Sequence, residues 1–151
     1  MRILRHALLL ALPLLGLGFA ASAADTGGHS AAGRWKTIDD KTGKVKSIVE
    51  ISQAANGTLS GKVVEILQSD RGPNPVCDKC DGERKNKPVK GMTILWNLKA
   101  DDASNWSGGT ILDPANGKTY KSKLELQPGG QKLDVSGCVM FICRAQTWVR
   151  E

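Results

Sequence analysis

The sequence predicts an all-β domain, a single eight-stranded antiparallel up-and-down barrel. Three observations carry that expectation. From Gly33 onward apolar and polar residues alternate, and turn residues recur at about 8–12-residue spacing. No long stretch repeats apolar residues with the three-and-four spacing of a helix. Eight sequential strands have two edges to hide, and closing the sheet removes both.

The strands follow in order. Arg34-Trp35-Lys36-Thr37-Ile38 is the first, closed by Asp39-Asp40-Lys41-Thr42-Gly43. Val45, Ser47, Val49 and Ile51 alternate with Lys46 and Glu50 in the second. Asn56-Gly57 then marks a hairpin, since both residues tolerate positive φ. A third strand spans about Thr58 to Gln68, and a long loop rich in Pro, Gly and charge runs from Ser69 to Lys90. Met92, Ile94, Trp96 and Leu98 are expected on one face of the fourth strand. Trp106 to Leu112 is the fifth, ending in Asp113-Pro114-Ala115-Asn116-Gly117. The cleanest alternation sets Tyr120, Ser122, Leu124 and Leu126 against Lys121, Lys123 and Glu125. Pro128-Gly129-Gly130 turns the chain into Lys132 to Val139, and Arg144 to Arg150 is the last strand.

Residues 1–23 read as a signal peptide. Arg2 and Arg5 precede an apolar stretch from Ala7 to Ala20, and Ala21-Ser22-Ala23-Ala24 offers the small residues that signal peptidase reads. That stretch is short of the roughly 20 residues that span a bilayer. An exported protein, periplasmic or secreted, is expected, with a flexible arm over residues 24–32 and the barrel domain over 33–151. No stable membrane insertion is expected after cleavage. Of the 151 residues, 21 are basic and 15 acidic; losing Arg2 and Arg5 leaves 19 basic residues and a net charge of +4. His29 becomes the one histidine, in a Gly/Ala/Ser-rich arm that is poor ground for a Ser-His-Asp or Cys-His site.

In an oxidising compartment four cysteines read as two disulfides. Four allow three pairings; the local one, Cys77 with Cys80 and Cys138 with Cys143, needs no long-range contact and is preferred. A thiol redox site at Cys77-Asp78-Lys79-Cys80 normally opens a helix, whereas Pro73, Pro75 and Gly82 surround this motif. A four-cysteine zinc site competes with disulfide formation. No metal and no cofactor is expected.

The densest basic cluster, Arg84-Lys85-Asn86-Lys87 with Lys90, is diluted by Asp78, Asp81 and Glu83 and lacks interleaved stacking aromatics, so no nucleic-acid partner is expected. A solvated loop is the expectation there, with weak attraction to anionic lipids as the functional alternative. Asp39-Asp40 and Asp101-Asp102 are neighbours within turns, unlike the acids of a glycosidase, which flank a substrate bond. No catalytic residue is assigned, and no enzyme is expected.

An eight-stranded barrel either fills its interior with side chains or holds one small ligand. Alternation points Val49, Ile51, Met92, Ile94, Trp96, Tyr120, Leu124 and Leu133 inward. Of these, Trp96, Tyr120, Val49, Ile94 and Leu124 are the candidate ligand-binding residues, with Tyr120 and Ser122 as polar anchors. Three readings result: a carrier of a small apolar or amphipathic molecule, a packed structural or interaction protein, and a thiol–disulfide protein resting on Cys77 and Cys80 alone.

Several segments together resemble the bacterial family of unknown function numbered 2147. They are Gly33-Arg34-Trp35-Lys36-Thr37, the Cys77-x-x-Cys80 loop with Lys87-Pro88-Val89-Lys90-Gly91-Met92, Trp106 to Pro114, Asn116 to Tyr120, and Gln146-Thr147-Trp148-Val149-Arg150. The resemblance implies an exported protein with a lipocalin-like, calycin-type barrel and no established reaction. Gly33-x-Trp35 is also similar to the lipocalin signature. That likeness implies a structural role for Gly33 and Trp35, with an arginine of the last strand, Arg144 or Arg150, over the indole. The chain lacks the lipocalin's closing helix and second signature, so no lipocalin ligand carries over.

Overall fold

The computed structural model describes residues 30–151. The expected signal peptide, residues 1–23, and most of the expected arm, residues 24–32, therefore lie outside the described residues. Eight antiparallel strands follow in chain order: β1 Gly33–Ile38, β2 Val45–Gln53, β3 Leu59–Ile66, β4 Thr93–Ala100, β5 Asn105–Asp113, β6 Lys118–Leu126, β7 Lys132–Val139 and β8 Ile142–Arg150. They form a closed barrel in sequential order. Closure is made where Trp35 and Lys36 of β1 pair with Arg150 and Val149 of β8. The expected all-β, eight-stranded up-and-down barrel is the observed fold.

Strict up-and-down order sends alternate connections to opposite ends. The turn 39–44, the long loop 67–92, the turn 113–117 and the β7–β8 turn gather at one end, here the mouth. The other end, the floor, holds both the start of β1 and the finish of β8. Trp35, Leu59, Leu98 and Leu133 are buried there almost completely, and Trp106, Leu124, Leu126 and Trp148 pack with them. Burying side chains of this size is worth about 1.5–3 kcal/mol each, so the floor is where the barrel gains its stability.

Several strand pairs depart from simple alternation, and the departure in β4 matters most for the interior. The pairing of β4 sets Leu95 opposite Gly61 and Ile111, and Leu98 opposite Leu59. Two residues three apart share an inner face only if the chain bulges between them. Asn97, at φ 60, supplies the irregularity. Leu95 and Leu98 are consequently both fully buried, whereas Trp96 pairs across from Thr110 and keeps part of its ring in solvent. The expectation that Met92, Ile94, Trp96 and Leu98 share one face is corrected by this bulge. Gly61 makes room for it, since a Cβ there would meet Leu95 and Val49 at 3.1–3.2 Å.

The long loop is ordered by its own contacts. It carries a single 3-10 turn, Gly82–Arg84, and an isolated bridge between Val76 and Pro88. Cys77 and Cys80 are buried beneath it, joined to each other, and Cys77 Sγ lies 3.4 Å from the Pro114 carbonyl. Cys138 is joined to Cys143 across the β7–β8 hairpin. Both disulfides are thus the local ones.

Candidate functional site

A cavity of about 550 Å³ opens at the mouth. That volume falls inside the roughly 300–1,000 Å³ usual for small-molecule sites. The barrel is therefore hollow in its upper half and packed at its floor. Val63, Ile94, Ile111, Val135 and Trp148 supply the apolar wall. Thr37, Ser47, Tyr120 and Gln146 supply polar groups, and Asp39, Lys46, Arg71, Asp113 and Arg144 stand toward the mouth.

Much of the polar wall is tied to the protein itself. The Gln146 amide donates to the Ile38 carbonyl at 2.7 Å and accepts from Trp148 Nε1 at 2.8 Å, which fixes its orientation. The hydroxyls of Thr37 and Ser47 lie 2.7 Å apart. Asn116 donates to the Tyr120 hydroxyl at 3.1 Å. Lys46 stands 3.9 Å from Asp39, and Arg71 is 2.8 Å from Asp78. Arg144 is exposed, lines the cavity, and has no carboxylate partner among the described residues. Unlike Lys46 and Arg71, it faces no carboxylate there.

Ile94 and Tyr120 are on the cavity wall, whereas Val49, Leu124 and Trp96 are not. Val49 and Leu124 are fully buried in the packed half. The Trp96 ring is instead covered by Arg84 of the long loop, 4.7 Å from guanidinium carbon to ring centroid. Ser122 is also off the wall; its hydroxyl is buried without a hydrogen-bond partner among the described residues. Alternation missed Arg144 and Gln146, although β8 places them on the same face as buried Trp148. A charged or amide residue two steps from an inward tryptophan is the signal that would have found them.

Between the two arginines considered for Trp35, the structure uses Arg150. Its guanidinium carbon stands 4.2 Å from the ring centroid. Nε donates to the Gly130 carbonyl at 2.7 Å, Nη1 to Ala32 at 3.1 Å and Nη2 to Ser30 at 2.7 Å. Desolvation lowers its pKa. The same contacts, with Trp35 Nε1 donating to the Ala31 carbonyl at 2.8 Å, hold Ser30–Ala32 across the floor.

The cysteines offer no exposed thiol. Both pairs are oxidised, and Cys77 and Cys80 are 0% and 1% exposed, out of reach of a substrate disulfide. Among the described residues no group of three His, Cys, Asp or Glu side chains is placed to hold a metal ion.

The chain is similar to two groups of known proteins. The family described as "Uncharacterized protein conserved in bacteria (DUF2147)" matches residues 33–150. No curated protein matches it. Among solved structures it is similar to protein HP1028 from the human pathogen Helicobacter pylori, described as belonging to the lipocalin family. The identity is 20%, over 81% of this chain and 83% of that one, with a TM-score of 0.69. At that identity the likeness is one of fold. With its whole barrel inside the matched span, this chain belongs to the DUF2147 family, and its fold is lipocalin-like.

Proposed function

We propose that the protein is exported to the cell envelope and binds a small amphipathic molecule in the upper half of its barrel, without performing chemistry on it. The observation that carries this reading is the cavity itself, apolar in depth and polar at its mouth. An acyl or other apolar portion fits among Val63, Ile94, Ile111 and Val135. A polar or anionic head fits near Arg144, which faces no carboxylate among the described residues. The leader over residues 1–23 supports export. A barrel packed solid is the weaker reading, because side chains fill only the floor.

Native mass spectrometry of protein purified from its host tests the proposal. A retained small molecule is expected. Gly137→Leu should expel it: a Cβ there meets Tyr120 and Ile111 at an ordinary 3.4–3.5 Å, so the larger side chain projects into the cavity with little backbone strain. Trp96→Ala, off the wall, should leave retention unchanged. An adduct-free wild-type spectrum, or one in which Gly137→Leu retains the molecule fully, argues against lumen binding.

A further inference from the structure

Six large apolar side chains are exposed among the described residues: Leu67 at 51%, Val76 at 39%, Val139 at 58%, Met140 at 84%, Phe141 at 97% and Ile142 at 75%. All six lie at the mouth, in its connections or at the strand ends that flank them. Four are consecutive and form the tip of the β7–β8 hairpin, where Val139 pairs with Ile142 and Met140-Phe141 make the turn. Two-residue hairpin turns favour Asn-Gly or a similar pair, because the backbone enters the left-handed region. Here Met140 adopts φ 53 with a bulky side chain. The turn thus forgoes the residues that suit its backbone and presents apolar surface to water, and the Cys138–Cys143 bridge fastens the strands directly beneath it.

The flanks of that tip are basic. Lys121 is the β6 residue opposite Cys138, Lys123 is opposite Ser136, and Arg144 is opposite Gly137. Neither Lys118–Leu124 nor Val135–Val149 contains an Asp or Glu. The nearest acids along the strands are Glu125 and Asp134, paired with each other on the floor side of Lys123, and Asp113, paired across from Lys118. An apolar projection above a cationic collar matches an anionic bilayer, whose acyl layer takes the side chains while its headgroups face the lysines and arginine. Farther down, the outer face carries Lys36, Glu50, Lys62 and Lys99, which keeps the barrel wall in water rather than in lipid.

We infer that the Val139–Ile142 tip is a membrane-docking element that inserts into the surface of an anionic phospholipid bilayer. Docking through the tip brings the cavity mouth onto the membrane, because the tip and the mouth share one end of the barrel. A bilayer is favoured over a protein groove by the charge arrangement, since Lys121, Lys123 and Arg144 flank the apolar residues on the strands beside them with no acid between.

Flotation with vesicles tests the inference. One set is phosphatidylethanolamine with phosphatidylglycerol, the other neutral phosphatidylcholine. The wild-type protein should float with the anionic set, and more weakly as salt is raised. The double variant Met140→Asn, Phe141→Gly removes the apolar tip yet suits the turn. It should melt no lower than wild type and lose binding by roughly tenfold or more, as expected for two large side chains withdrawn from an apolar phase. Lys121→Gln and Lys123→Gln should each weaken binding to the anionic set by roughly fivefold. A wild-type protein that stays off the anionic vesicles, one that dimerises through the tip instead, or a double variant that floats as well as wild type overturns the inference. Docking does not require an occupied lumen: an empty barrel that still floats defeats the carrier reading and leaves this one standing.

Discussion

Arg150 lies over Trp35, guanidinium carbon to ring centroid 4.2 Å, and so joins the last residue of β8 to the first buried aromatic of β1. The contact sits at the seam where the sheet closes. It combines a cation–π contact, worth about 0.5–2 kcal/mol, with three donors satisfied by the Gly130, Ala32 and Ser30 carbonyls. The floor is thus sealed by one side chain that holds two strands, a turn and the end of the arm.

Removing that side chain should open the seam. Arg150→Ala is expected to cost about 2–4 kcal/mol, because it leaves several carbonyls unpaired as well as the indole uncovered. Arg150→Lys should recover only part of this, since one ammonium cannot reach in three directions at once. Urea denaturation gives both values. A loss below about 0.5 kcal/mol for the alanine variant, the level of an ordinary surface change, would show that the seal is dispensable.

Gly117 positions the long loop. It has φ +72, and a Cβ on it would come within 2.0 Å of the Lys79 carbonyl oxygen, a backbone atom that cannot swing aside. Gly117→Ala should therefore lift the Cys77–Cys80 segment from the 113–117 turn and cost about 1–3 kcal/mol. Amide hydrogen exchange is the direct readout. Faster exchange is expected at Cys77 and Asn86, which bond within the loop, with the floor strands unchanged. Unaltered loop protection would mean that the loop is held elsewhere.

Asp39, on the cavity rim, accepts hydrogen bonds from the Thr42 amide and hydroxyl and from the Lys41 amide, with Lys46 nearby. The Thr42 bonds come first among the causes that hold its pKa below the usual carboxylate value. Asp102 is lowered in the same way, chiefly by the Ser104 amide and the Asn105 side chain. A depressed native pKa means stability that is present above the unfolded pKa and lost as pH falls through the folded one. Thermal stability should thus decline on the acid side of about pH 4, and Asp39→Asn should flatten part of that decline. An identical acid profile for the variant would remove Asp39 from the explanation.

How far the sequence spoke depended on the strand. Along β6 it is legible throughout, because Tyr120, Ser122, Leu124 and Leu126 alternate with Lys121, Lys123 and Glu125 and no bulge intervenes. Along β4 it misleads: Asn97 takes a left-handed conformation that no residue pattern announces, so alternation passes over Leu95 and points Trp96 inward. Alternation also gives the face of a side chain and not its depth. Tyr120 and Leu124 share a face, yet one borders the cavity and the other is packed below it. The disulfides were legible from spacing, while the choice of Arg150 over Arg144 depended on which end of β8 meets Trp35. Even so, the family resemblance and the barrel it implied are what the structure and the comparisons show.

A crystal structure of protein purified from its host without unfolding bears most directly on the proposed carrier role. Continuous density is expected in the upper barrel, elongated between Ile94 and Val135, with a polar end within hydrogen-bond reach of Arg144. A lumen holding only scattered water, or one collapsed by inward movement of Tyr120 and Trp148, would contradict it.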